Sequence, residues 1–229
     1  MRIFSSFHGD KKIGQSLLEP FEDKLSNALV PRVPLWLETN HLTLLTIPWC
    51  LGIISFSFLA REHIEWLWVV SFLIVCQYIT DRLDGAVGRY RNTGLVKWGY
   101  YMDHFLDYFF LCSILIGYFF ILPDAFLYMH FFLLAIFGGY MVHSFLAFTV
   151  TNKFQVSYLG IGPTEVRLVF IMVNTLLIFF GTTHLSFLLP YILGAATLGL
   201  IVLVYRTQKV IWAMDVASRT STPASRSQP

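Results

Sequence analysis

The chain has 229 residues, of which 56% are hydrophobic and 13% charged, with 22 Phe and a formal net charge of +2. So much apolar side chain and so little charge exclude an ordinary soluble domain and point to the bilayer. Cys50, Cys76 and Cys112 all lie inside apolar runs and read as small buried hydrophobes, with no disulfide or metal-ligand pattern.

Residues 1–39 form a polar to mixed N-terminal segment. Leu17, Leu18, Phe21, Leu25 and Leu29 recur at helical spacing, with Glu19, Glu22 and Asp23 among them. That pattern predicts an amphipathic helix lying on the membrane surface or against the bundle. The segment lacks the charge, apolar core and cleavage-site order of a signal peptide. Pro31 and Pro34 break the chain, and Trp36 suits an interfacial anchor. Six apolar runs follow, near Leu42–Ala60, Trp66–Ile79, Tyr101–Leu122, Phe126–Val150, Val166–Thr182 and Leu185–Tyr205. Most match the roughly 20 residues needed per crossing. The second is short unless its helix continues through Asp84 towards Arg89. Residues 40–206 are thus expected to form one six-helix transmembrane domain. The tail, 207–229, is rich in Ser, Thr and Pro and is expected to be disordered. The predicted fold is an all-α integral membrane protein with six transmembrane helices plus an N-terminal amphipathic interfacial helix. Membrane lipids are the expected surroundings, and no nucleic-acid partner is expected.

Basic residues set the orientation. Fifteen of the 16 Lys and Arg fall in the N-terminal segment, residues 82–97, residues 153–167 and the tail after 205; Arg61 alone falls on the other side. By the positive-inside rule, both termini and the 82–97 region face the cytoplasm.

The chemistry concentrates in residues 81–107. Four of the chain's 14 acidic residues lie there, Asp81, Asp84, Asp103 and Asp107, at the ends of two apolar runs. Acids at the edge of a bilayer core are expensive and mark functional sites. Asp81 and Asp84 are i,i+3 and Asp103 and Asp107 are i,i+4, so each pair shares a helix face. Gly85, Gly88 and Gly99 stand beside the pairs and leave the backbone open to close approach. Four carboxylates facing each other need a cation between them, and oxygen-only ligation suits Mg²⁺, Mn²⁺ or Ca²⁺.

This stretch resembles the signature of the CDP-alcohol phosphotransferase (CDP-alcohol phosphatidyltransferase) family, D-x2-D-G-x2-A-R, a spacer, then G-x3-D-x3-D. Here the positions are Asp81, Asp84, Gly85, Arg89, Gly99, Asp103 and Asp107, seven of eight in order. Gly88 stands where the family usually has Ala, and the spacer between Arg89 and Gly99 is nine residues where eight is commoner. The resemblance implies a divalent-metal-dependent membrane enzyme that transfers a phospho-alcohol group from a CDP-linked donor to a hydroxyl acceptor and releases CMP, making a phospholipid or a precursor. It implies Asp81, Asp84, Asp103 and Asp107 around two Mg²⁺ or Mn²⁺ ions, with Asp107 as general base. It assigns Asp84, Gly85, Arg89 and Gly99 to the CDP group. A homodimer is implied too, and Ala195 and Gly199 form a small-xxx-small pair suited either to such a contact or to packing within one bundle.

Four further residues are candidates for substrate binding. Asn40 and Thr43 match an N-x-x-T that opens the first membrane helix in many family members, although an ordinary N-cap looks the same. Arg167 opens the fifth membrane helix, either as a phosphate contact or as a positive-inside anchor. His104, between two aspartates, is similar to the choline and ethanolamine branch, as is the run Gly162-Pro163-Thr164-Glu165. Arg91 and Lys97 fit anionic head groups, and His130 and His143 read as structural. The motif binds the shared CDP part, so it leaves two donors open. CDP-diacylglycerol with a polar acceptor is preferred; a CDP-choline or CDP-ethanolamine donor with diacylglycerol is the alternative. A third reading, an ion or proton transporter, predicts acids spread across the bilayer rather than gathered at one end.

Overall fold

In the computed structural model, residues 12–13, 18–93, 95–123, 127–151, 154–155 and 162–221 are described. Leu17, most of the leader before it and residues 222–229 lie outside them, as do the side chains of Glu19 and Phe21. Among the described residues, eight α-helices run in chain order: α1 Glu19–Leu29, α2 Thr39–Leu44, α3 Thr46–Leu59, α4 Leu67–Arg91, α5 Val96–Ile121, α6 Leu127–Thr151, α7 Pro163–Phe180 and α8 Thr183–Ser221. Among the described residues, six helical stretches are long and apolar enough to cross a membrane, α2 and α3 together forming the first. The fold is the all-α, six-span architecture expected. A two-residue parallel pairing of Lys12–Ile13 with Phe154–Gln155 is the one strand contact among the described residues.

Several boundaries have local causes. The first span breaks at Leu45 because Pro48 has no N–H to give to the carbonyl of Leu44 and crowds it. The second span extends well past its apolar run: α4 covers 25 residues, about 37 Å at 1.5 Å per residue. It stops at Asn92, which adopts φ 56° and ψ 28°. Asparagine tolerates this left-handed turn better than most residues, and Thr93 N donates to Gly88 O there at 3.2 Å. α7 starts at Gly162, whose N–H donates to the Glu165 carboxylate at 2.8 Å.

The interior is made by α3, α4, α5 and α7, with Ile53, Ile74, Ile114 and Leu177 wholly or almost wholly buried. Gly117 lets α5 approach α3 closely, since a Cβ there would meet Ser57 Oγ at 2.5 Å. Polar groups join the same helices away from the aspartates. Tyr118 OH donates to Asn174 Oδ1 (3.0 Å), and Asn174 Nδ2 donates to Ser71 Oγ (3.1 Å). By contrast, α6 and α8 are exposed along most of their spans and lie against each other at the rim.

Two expectations change and one open alternative is settled. The tail does not leave the helix at residue 207: α8 runs on to Ser221. Gln208, Lys209, Ala213, Met214 and Ala217 are good helix formers, and the next proline is Pro223. The small face at Gly199 is occupied within the chain, because Tyr140 packs onto it and its hydroxyl donates to Ala196 O at 2.9 Å. Arg91 is turned inward: its guanidinium donates to Leu37 O (2.9 Å), Val33 O (2.7 Å) and Pro34 O (3.2 Å). That segment has no helix or strand to satisfy the carbonyls of Val33 and Leu37, so the arginine does it; Pro34 O also accepts from Leu37 N at 3.0 Å. The amphipathic α1 docks on the bundle, with Arg82 of α4 reaching Glu22 (3.3 Å) and Asp23 (3.2 Å).

Candidate active site

The acidic residues gather at the end of the bundle where α4 finishes and α2, α5 and α7 begin. Asp81 lies ten residues before the end of α4, and Asp107 eleven residues into α5. At 1.5 Å per residue, both are sunk about 15 Å below the helix ends. Asp84 and Asp103 lie one turn nearer the mouth. Asp81, Asp103 and Asp107 each offer an oxygen, and the three oxygens lie within 4.8 Å of one another. This spacing fits a hard divalent cation: at metal–oxygen distances of about 2.0–2.6 Å, ligands on opposite sides are about 4–5 Å apart. A cationic group already sits among these oxygens, which shows that the cluster accepts positive charge.

That group is Arg167. It is almost fully buried, at 5% exposure. Its Nη2 donates to Asp81 Oδ2 at 3.0 Å and lies 3.3 Å from Asp107 Oδ1. Its Nε donates to Gln77 Oε1 at 2.8 Å, and its guanidinium carbon lies 5.3 Å from the Phe110 ring centre. Arg167 is therefore part of the site and not a surface anchor. Gln77 was missed by the sequence reading. It has no exposure, and its Nε2 has no hydrogen-bond partner among the described residues. The available signal was an amide in an apolar run, one helical turn before Asp81 and on the same face.

Asp84 stands beside the triad rather than in it. Thr43 Oγ1 donates to its Oδ2 at 2.8 Å, and Gly85 N donates to its other oxygen. Thr43 thus reaches Asp84 from α2. Asn40 shares that helix face and is half-buried. It is not an N-cap, because α2 starts at Thr39 with Glu38 in the capping position. Gly88 receives α2 as well: a Cβ there would meet Thr39 Oγ1 at 2.9 Å.

The CDP candidates line the mouth. The Arg89 guanidinium lies over Gly85, 3.2 Å from where a Cβ would stand, and its side chain is exposed. Nothing lies within 4 Å of the Cβ position of Gly99, so the start of α5 is open. His104 Nδ1 is 3.3 Å from Asp103 Oδ2, and its ring is held by Tyr100 and Phe145 at 4.3 and 5.5 Å. Beside it, Phe105, Tyr108, Gly138 and Phe145 line an apolar groove of about 680 Å³ between α5 and α6. Lys97 is exposed in the first turn of α5.

Fold and site together define a multi-pass membrane protein with an acidic cluster, paired with Arg167, at one end of its bundle. The family model for CDP-alcohol phosphatidyltransferases matches residues 36–205, most of the chain, and the protein belongs to that family. Membership makes it a transferase of substituted phosphate groups. No curated protein matches the chain.

Proposed function

We propose that this protein transfers a phospho-alcohol group from a CDP-linked donor to a hydroxyl acceptor, with phosphatidyl from CDP-diacylglycerol the preferred donor group. The observation that carries the reading is the meeting of Asp81, Asp103 and Asp107 within 4.8 Å beside an open helix start at Gly99. Asp81, Asp84, Asp103 and Asp107 would hold two divalent ions, Mg²⁺ or Mn²⁺. When bound, such ions neutralise pyrophosphate charge and stabilise an in-line displacement at phosphorus.

The chain's own groups do the rest. Arg89 grips a donor phosphate, where a guanidinium can bond two oxygens at once. Gly85 removes the side chain that would crowd it, and Gly99 leaves room for the cytosine ring. Arg167 meets a phosphate oxygen from the opposite wall. Asn40 and Thr43 border the site from α2, and Thr43 also holds Asp84 in place. Asp107 takes the proton from the acceptor hydroxyl as its oxygen attacks the phosphorus. The bond from that phosphorus to the bridging oxygen breaks, and CMP leaves. A lipid chain fits the apolar groove lined in part by His104, whose Nδ1 lies 3.3 Å from Asp103 Oδ2.

The site faces the cytoplasm in this reading, since the basic residues cluster at its end of the bundle. A homodimer is part of the proposal, formed through a surface other than the Gly199 face. Purified protein should release CMP from CDP-diacylglycerol when given glycerol phosphate, an inositol compound or serine. CMP release from CDP-choline or CDP-ethanolamine with diacylglycerol alone would reverse the donor assignment. Release from none of them would overturn the reading.

A further inference from the structure

Arg167 and a divalent ion claim the same place. Nη2 of Arg167 lies between Asp81 Oδ2 and Asp107 Oδ1, 3.0 and 3.3 Å away. Those two aspartates are also two of the three residues whose oxygens converge. An ion taking both at about 2.0–2.6 Å would fill the space that this nitrogen now occupies. The anchor of the guanidinium is elsewhere: Nε is held by Gln77 Oε1 at 2.8 Å, deep on α4. The guanidinium is rigid and planar, so its terminal nitrogens leave by a pivot of the whole group about Nε, which stays within reach of Gln77 Oε1.

We propose that Arg167 is a resident counter-ion of the carboxylate cluster, displaced from Asp81 and Asp107 when a divalent cation enters, with Gln77 as the fixed point of the movement. The inference rests on reading the cluster as a divalent-cation site. Without metal, the guanidinium offsets like charges that would otherwise push α4 and α5 apart. With metal, the same group is freed in the chamber that a phosphate enters. Cation uptake then prepares the phosphate contact, so metal binds before donor.

The test needs no CDP substrate. Mn²⁺ binding to the purified protein is followed by loss of the free-ion electron paramagnetic signal. In parallel, phenylglyoxal modification of Arg167 is measured by peptide mass spectrometry, with and without Mn²⁺. Exchange predicts slow modification in chelator and a several-fold faster reaction once Mn²⁺ is bound. Asp81→Asn/Asp107→Asn protein, which lacks both charges that hold the guanidinium, should react faster than wild type in either condition. Binding of Mn²⁺ with unchanged or slower modification would overturn the exchange while leaving the cation site standing. No Mn²⁺ binding would remove both. In Arg167→Ala protein, methylguanidinium should refill the place and weaken Mn²⁺ binding competitively, whereas tetramethylammonium should not. Equal effects of the two cations would also overturn the proposal.

Discussion

Replacing Gln77 by leucine separates positioning from stability. Gln77 makes one strong bond, to the charged Nε of Arg167 at 2.8 Å, and leaves its own Nε2 buried without a partner among the described residues. Losing a hydrogen bond to a charged group costs about 1.5–3 kcal/mol, and removing an unsatisfied buried donor returns about 1–3 kcal/mol. Leucine is close in volume, so the two effects nearly cancel in the folded state. The melting temperature of Gln77→Leu should stay within about 4 °C of wild type, the shift expected for about 1 kcal/mol in a chain of this length. Catalysis has no such offset. A guanidinium without its Nε anchor loses about 1.5–3 kcal/mol of fixed position, and each 1.4 kcal/mol is a factor of ten, so turnover should fall about 10- to 150-fold. The assay is CMP release across a range of donor concentrations, read as kcat and KM separately, beside a thermal melt. The fall should lie in kcat. A large drop in melting temperature with unchanged kcat per folded molecule would show that Gln77 only packs, and the positioning argument would fail.

Other outcomes follow from the same geometry. Activity should vanish in EDTA and return with Mg²⁺ or Mn²⁺; full activity in chelator would contradict the cation site. Asp107→Asn should lower turnover by about 10²-fold, the scale of a lost general base, with donor binding by calorimetry largely kept. Asp81→Asn should instead weaken metal and donor binding together. Gly117→Val should destabilise the bundle by about 1–3 kcal/mol through overpacking against Ser57, measured as a lower melting point with little change in KM. Cysteines placed at Lys97 and His63 should be labelled from opposite faces, Lys97 from the cytoplasm; the reverse would overturn the orientation.

Much of this arrangement was legible in the chain because it depends on spacing along single helices. The six spans follow from run length. The facing of Asp81 with Asp103 and Asp107 follows from i,i+3 and i,i+4 registers on two consecutive helices. The contacts that escaped are the ones made across long stretches of chain. Arg167 meets Gln77 over 90 residues and Asp81 over 86, and no local period encodes a helix crossing. The same holds for Thr43 and Asp84, 41 residues apart, where the motif supplied only the residues and the fold supplied the bond. Composition misled at the tail. Its many Ser and Thr residues outweighed the helix formers between Gln208 and Ala217, although a helix already under way extends cheaply through them.

Arg89 and Arg91 stand two residues apart on the last turn of α4, about 200° around the helix from each other. One points to the mouth of the site; the other holds the carbonyls of Val33, Pro34 and Leu37. A pull on the first is therefore felt by the second through a rigid turn. In the proposed function the segment before the first span braces the wall that carries Arg89, and its grip should register donor far from the chemistry. Amide exchange across residues 33–37 would slow when donor is bound, and Arg91→Ala would loosen donor binding without removing any group that touches it.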